Sequence, residues 1–368
     1  MPCPAGFLPF TFEDIPNWRL DDASAAFLAF RRSAEHASRK PYKTGALGIA
    51  FDAFRPAYDE ALRNPALDSA LSRSFFERHF VPALVLSENG EPTGLVTGFY
   101  EPEVEASPIR TGHFKVPLLS RPPDLVDVDD LNRPSGMDSY LAFARKIGAD
   151  LVEYYDRPAI DQGALSGQGL EIAWLADPVD AYFVHVQGAA RLLMPGGEVR
   201  RVTYAAKSGQ RFTGAGKVLV ELGEIPLADV TMQSIRAWFK INPHRVNEIL
   251  WRNRSYIFFR DAPVDNPELG PVAAAKVPLT PGRSVAVDRL LHTFGTPFFI
   301  EAPSLTAFDG KPFARLMIAQ DTGSAIVGPA RGDLFAGSGF AAGEIAGVVR
   351  NQAKFYALLP RSLVGGSQ

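Results

Sequence analysis

The chain alternates between two textures of apolar spacing. Across residues 21–79 apolar side chains recur three and four positions apart: Ala25, Phe27, Leu28 and Phe30, then Ile49, Phe51, Phe54 and Tyr58, then Leu67, Leu71, Phe75 and Phe76. That spacing gathers them on one face of a helix and predicts a helical N-terminal region. Across residues 81–204 the runs shorten and alternate, as at 94–100 and 182–187, between turns rich in Pro and Gly. This predicts mostly strands. Helical spacing returns over 213–252, through Val218, Leu219 and Leu222, then Ile235, Trp238 and Phe239, then Val246, Ile249 and Leu250. Residues 255–259, 284–287, 297–300, 315–319 and 355–359 read as short strands among Gly turns, the texture of a compact barrel.

Composition narrows the class. At 368 residues the chain exceeds one ordinary domain, so two domains or one with a large insertion are expected. With 46% hydrophobic and 21% charged residues it is a folded globular chain, not a disordered or fibrous one. The 32 glycines and 30 prolines favour β-rich architecture with many turns. Charges nearly cancel, at −3, and no Lys/Arg run is long enough to follow a phosphate backbone, so nucleic acid is not an expected partner. The single cysteine, Cys3, can form neither an internal disulfide nor a cysteine-rich zinc site. The opening MPCPAGFLPFTFEDIPNW has no basic segment leading into an unbroken apolar stretch, and nowhere do 18 apolar residues run together. The sequence given thus encodes neither export signal nor membrane span, which fits a cytoplasmic protein or the trimmed form of an exported one.

Several chemistries lack their signatures. The histidines, His36, His79, His113, His185, His244 and His292, show no i, i+4 pair and no zinc-type spacing with a carboxylate. Residues 209–214 look like half a phosphate loop, but Ala215 stands where Lys is needed and Val218 follows Lys217. Residues 337–342 match a dinucleotide fingerprint and open a helix-compatible stretch at 344–355, yet too little chain follows for a βαβ unit; a tight turn explains them better. No Gly-x-Ser-x-Gly elbow occurs.

What remains is a polar concentration among turns at residues 319–339. Asp321 and Asp333 each border a short apolar strand, Arg331 sits between them, and Asp288 ends the run 284–287. Read as residues alone, these aspartates either cap turns, which is ordinary Asp-Thr-Gly and Gly-Asp chemistry, or carry a reaction. The motifs QDTGSAI, RGDLFAGSG, AAGEIAG and YALLP between Gln320 and Pro360, with TGFYEP at 97–102, VQG at 186–188, TMQSIRAW at 231–238 and SYIFFR at 255–260, resemble in the same order those of the membrane-bound lytic murein transglycosylase A family. The likeness covers about residues 80–360. Ala189-Ala190, Lys207-Ser208-Gly209 and Ser324 depart from the family's usual residues, and these changes bear on glycan preference more than on the reaction.

The resemblance implies a mainly β fold with α: a double-psi β-barrel plus helices, with a second, smaller β-barrel inserted and a glycan groove between them. It implies domains at 1–102 with 246–368, and at 103–245. It implies cleavage of the β-1,4 bond between N-acetylmuramic acid and N-acetylglucosamine of peptidoglycan, with a 1,6-anhydro sugar as product. Asp333 matches the family's catalytic aspartate, and Asp321 and Asp288 match its other two. Thr97, Phe99, Tyr100, Gln187, Gly188 and Gln320 are expected to contact substrate, since aromatic faces pack on sugar rings and amides bond N-acetyl groups. Asp333 would protonate the glycosidic oxygen and then accept the proton of the C6 hydroxyl, which requires its pKa to lie above the ordinary carboxylate value. Peptidoglycan strands, and other cell-wall enzymes beside them, are the partners implied; a monomer without metal or organic cofactor is expected. The location implied is the periplasm or cell envelope, with Cys3 as a hint of a trimmed outer-membrane lipoprotein. An inverting glycan hydrolase on the same barrel, or a wall-binding module without catalysis, remains open at this level.

Overall fold

The computed structural model describes residues 6–364; Cys3 lies outside the described residues. The chain divides into two compact units, Met1–Tyr100 with Asn266–Gln368, and Glu101–Asp265. The first unit begins with strand β1 (Phe7–Pro9) and three helices, α1 (Ser24–Ala37), α2 (Arg55–Arg63) and α3 (Ser69–His79), then runs into β2 (Phe80–Val85) and β3 (Gly94–Glu101). Local chemistry sets the helix starts: Pro56 opens α2, and the Asp68 carboxylate accepts the Leu71 N–H at 2.8 Å to cap α3. The helical face expected from the spacing buries Phe27, Phe30, Phe54, Phe75 and Phe76 completely. Their rings meet edge to face, Phe27 on Phe75 at 5.1 Å and Phe30 on Phe80 at 5.8 Å between centroids.

The second unit holds β4 (Glu103–Ser107), β5 (Val116–Leu119), β6 (Leu125–Asp127), β7 (Phe143–Ile147), β8 (Asp150–Val152), β9 (Glu171–Leu175), β10 (Ala189–Leu193), β11 (Val199–Lys207) and β12 (Ile257–Ala262). Six of them form one sheet in the order β12-β11-β10-β4-β9-β5. Ser120, just past β5, bridges to Phe259 of β12, so the two edges of that sheet meet in a small barrel. Strands β6, β7 and β8 make a separate small sheet. Helices α4 (Arg157–Asp161), α5 (Pro178–Gln187), α6 (Ala215–Glu221), α7 (Met232–Ile241) and α8 (Val246–Leu250) complete the unit. Glu101, fully buried, joins its strands: Arg191 Nε–H donates to it at 3.0 Å and Arg201 Nε–H at 2.6 Å.

Two expectations are corrected here. Residues 182–187 are helical, not a strand. Asp177 caps α5 through the Val179 N–H at 2.7 Å, Pro178 occupies its first turn, and Gly188 ends it at φ +75°; a helix buried nearly all round shows no polar face to reveal its period. The return to the first unit comes at Asn266 rather than at 246, because β12 pairs antiparallel with β11 and so belongs to the insertion.

The first unit then resumes with β13 (Ser284–Val287), β14 (Pro297–Ala302), β15 (Phe313–Asp321), β16 (Arg331–Ser338), α9 (Gly339–Ala346), β17 (Arg350–Pro360) and α10 (Arg361–Val364). Strand order is β1-β2-β17-β14-β15-β13-β16-β3, and β17 also pairs with β3, so six strands close into a ring. The stretch 344–355 is therefore helix only as far as Ala346; from Arg350 it is the strand that closes the barrel, with Ala353 and Phe355 facing inward between exposed Gln352 and Lys354. Ser338 and Gly339 make the tight turn into α9, with Gly339 at φ +83°. Among the described residues no helix is long and apolar enough to cross a membrane.

The N-terminal helices are tied to this barrel by a buried ion pair. Arg283 Nη1–H and Nη2–H donate to the two oxygens of Asp21 at 2.7 and 2.9 Å, and the Leu316 N–H donates to Asp21 Oδ2 at 2.8 Å. Removing one partner of such a pair strands the other charge in the interior. Asp21→Ala is expected to cost about 3–5 kcal/mol in denaturant unfolding, and Asp21→Leu with Arg283→Met less than that. A loss below about 1 kcal/mol for Asp21→Ala would show that the clamp contributes little.

Candidate active site

The barrel's strand order decides which polar residues meet. Ala286 of β13 pairs on one side with Asp321 of β15, in parallel, and on the other with Asp333 of β16, antiparallel. Two aspartates thus flank one buried alanine, with about 10 Å expected between their Cα atoms from the strand spacing. Along β16 alternate residues face opposite sides. Gly332 faces the interior, where an added Cβ would come within 2.8 Å of the Phe355 ring, and Asp333 faces the other way. On the far side of β16 lies β3, which carries Thr97.

Thr97 Oγ1–H donates to Asp333 Oδ1 at 2.5 Å, and Arg331 Nη2–H donates to Thr97 Oγ1 at 2.7 Å. Asp333 is half-buried. Desolvation pushes it above the ordinary carboxylate value, against the pull of the Thr97 hydroxyl and the Arg331 charge. Among the described residues it takes no hydrogen bond from a backbone N–H.

Asp321 and Asp288 are held differently. Burial pushes Asp321 up to about 6, against backbone N–H bonds from Thr322 and Ala274, and the nearby charge of Asp333 adds to the rise. The Ala274 N–H reaches Asp321 Oδ1 at 3.2 Å from a loop whose Ala275 N–H bonds the Gln320 carbonyl and whose Lys276 sits at φ +62°. Asp288 has both oxygens occupied, by the N–H groups of Leu290 and Gly328, each at 3.0 Å. These bonds fasten the loop entering β16, the turn-holding use of an aspartate that its sequence context allows.

The expected substrate residues separate as well. Thr97 stands against Asp333. Phe99 is half-buried, its ring 5.2 Å from that of Phe335. Tyr100 is buried with its ring against Gly343, where a Cβ would approach within 2.9 Å. Gln187 and Gly188 end helix α5 in the second unit, Gln187 half-buried. Gln320 is corrected outright: it is fully buried, its Nε2–H₂ donates to the Ala29 carbonyl and to Ser33 Oγ, and its Oε1 accepts from Ser284. The strand pairing explains this: Ala319 and Asp321 face the consecutive residues Val285 and Ala286 of β13, so Gln320 is the extra residue of a register shift and turns into the core. The Ala274 N–H was invisible from sequence, being a backbone group brought in by a loop.

A carboxyl whose folded pKa, about 6, exceeds the unfolded value of about 3.9 contributes stability below the lower value and loses it as pH rises through the higher. Asp321→Asn keeps an acceptor for Ala274 and escapes that loss. Its melting temperature relative to wild type is therefore expected to rise between about pH 4 and pH 7. Melts across that range check this; a constant difference would mean that the carboxyl is not raised.

The sequence matches two family models, the MltA specific insert domain over residues 95–260 and the 3D domain over residues 283–359. The crystal structure of membrane-bound lytic murein transglycosylase from Agrobacterium tumefaciens is 50% identical, with a TM-score of 0.92 over 98% of this chain and 99% of that one. MltA from Neisseria gonorrhoeae is 30% identical, with a TM-score of 0.79 over 98% and 93%. Membrane-bound lytic murein transglycosylase A of Escherichia coli strain K12 is 31% identical over 71% of this chain, which spans 64% of that relative's length. Half identity across nearly two whole chains, with both of the family's domain models matched in order along the sequence, establishes that this chain belongs to the membrane-bound lytic murein transglycosylase A family.

Proposed function

We propose that the protein is a lytic transglycosylase of peptidoglycan that cleaves the β-1,4 bond between N-acetylmuramic acid and N-acetylglucosamine and forms a 1,6-anhydromuramic acid end. The observation that carries this reading is the unequal occupancy of the three aspartates. Asp288 and Asp321 accept backbone N–H groups, whereas Asp333 accepts only the Thr97 hydroxyl among the described residues. One carboxyl is left to work, and burial favours its protonated form.

A single acid suffices if the substrate supplies its own nucleophile. Asp333 gives its proton to the glycosidic oxygen as the C1–O bond breaks. The C6 hydroxyl oxygen of the same muramic residue then bonds to C1, and its proton passes to the Asp333 carboxylate, which restores the acid. No water is consumed. An inverting hydrolase needs a second carboxylate free to activate water, and Asp321 is engaged by the loop at Ala274. The relatives' names support murein as substrate and the cell envelope as location.

Purified sacculi incubated with the protein are expected to release muropeptides one water lighter than hydrolysis products, as read by mass spectrometry. Asp333→Asn should fold, bind glycan and lose activity by at least about 10²- to 10⁴-fold. More than a tenth of the activity retained would remove Asp333 from the role. Reducing-end products would make the protein a hydrolase, and binding without products would make it a wall-binding module.

A further inference from the structure

We propose that Arg331 and Thr97 act as a pair to decide which oxygen of Asp333 carries the transferable proton. A threonine hydroxyl has one proton to donate and lone pairs to accept with, whereas a guanidinium can only donate. Arg331 Nη2–H points into Thr97 Oγ1 at 2.7 Å, so the hydroxyl accepts there and directs its own proton to Asp333 Oδ1 at 2.5 Å. An Oδ1 that receives this bond is the acceptor oxygen of the carboxyl. The acid proton therefore resides on Oδ2, and Oδ2 is both the donor to the glycosidic oxygen and the acceptor of the C6 hydroxyl proton.

Arg331 is held to this task. Its Nη1 donates to the Gly332 carbonyl of its own strand and, at 3.5 Å, to the Leu95 carbonyl of β3. It makes no ion pair with Asp333 within 4.0 Å among the described residues. The cation thus orients the acid through one intervening hydroxyl, where direct pairing would favour the ionised form. The charged groups around Asp333 are Arg331 on its own strand and Asp321 on β15, the latter faced in turn by Lys276. Thr97, expected from the sequence to contact sugar, becomes a positioning residue, and Arg331 a second one.

The proposal rests on the reading of Asp333 as the acid, and two measurements separate the two ideas. The first is the titration of the Asp333 carboxyl, followed by carbon-13 NMR and assigned by its absence in Asp333→Asn. The second is the pH profile of turnover on sacculi. Loss of one hydrogen bond to a carboxylate is expected to move both the titration and the basic limb of the profile upward by about one pH unit in Thr97→Val. Turnover should fall about tenfold with KM unchanged, and Thr97→Ser should restore both. Arg331→Gln should shift the titration in the same direction, and carries the test should Thr97→Val not fold. A titration that stays at its wild-type position in Thr97→Val and Arg331→Gln overturns the proposal, as does a rise in KM alone, which would return Thr97 to sugar contact. A titration that moves while the pH profile does not supports the pair and overturns Asp333 as the acid.

Discussion

Four buried residues of β13 hold the site's geometry. Hydrogen-bonded to β15 on one side and β16 on the other, they set Asp321 and Asp333 in register with the same alanine, so neither carboxyl can shift along its strand without breaking a ladder. The close packing of Gly332 against Phe355 and Val285 fixes the pleat as well. Had a larger residue stood there, β16 would be pushed off β13, and Asp333 would lose its alignment with Thr97.

Position alone does not make an acid. Burial raises both carboxyls, and the surroundings then differentiate them: Asp321 meets backbone donors from a loop, Asp333 meets a single hydroxyl. The interposed hydroxyl matters for sign. A guanidinium in contact with a carboxylate favours its charged form by a pKa unit or more, whereas a guanidinium one hydroxyl away supplies direction with less of that penalty. The barrel thus lets the same arginine order Asp333 through Thr97 with less pull toward the ionised carboxylate.

The amphipathic spacing of Phe27, Phe30, Phe75 and Phe76 was enough to read the N-terminal helices, because each exposes a polar face to water. The helix at Tyr182 was not legible in that way, being buried on nearly all sides; its signals were the flanking Asp177, Pro178 and Gly188. At the site, the motifs containing Thr97, Asp321 and Asp333 each stood out in the sequence, but no spacing rule joins residues 236 positions apart. Gln320 stands next to Asp321 in sequence, yet the register shift at that point turns it into the core, which no sequence pattern announces. Asp288 stands in a turn-forming context, and among the described residues its carboxylate bonds the backbone of two turns.

The closed ring also orders events during synthesis. β3 leaves the ribosome long before β16 and β17, its partners on either side. The inserted unit, whose strand pairings all lie between Glu103 and Ala262, can complete itself in the interval. Thr97 waits on an unpaired strand until β16 is made, and one edge of that strand stays open until β17 follows; such an edge is prone to wrong pairing. A product truncated before β17 would therefore carry Thr97, Asp321 and Asp333 on an open, adhesive sheet.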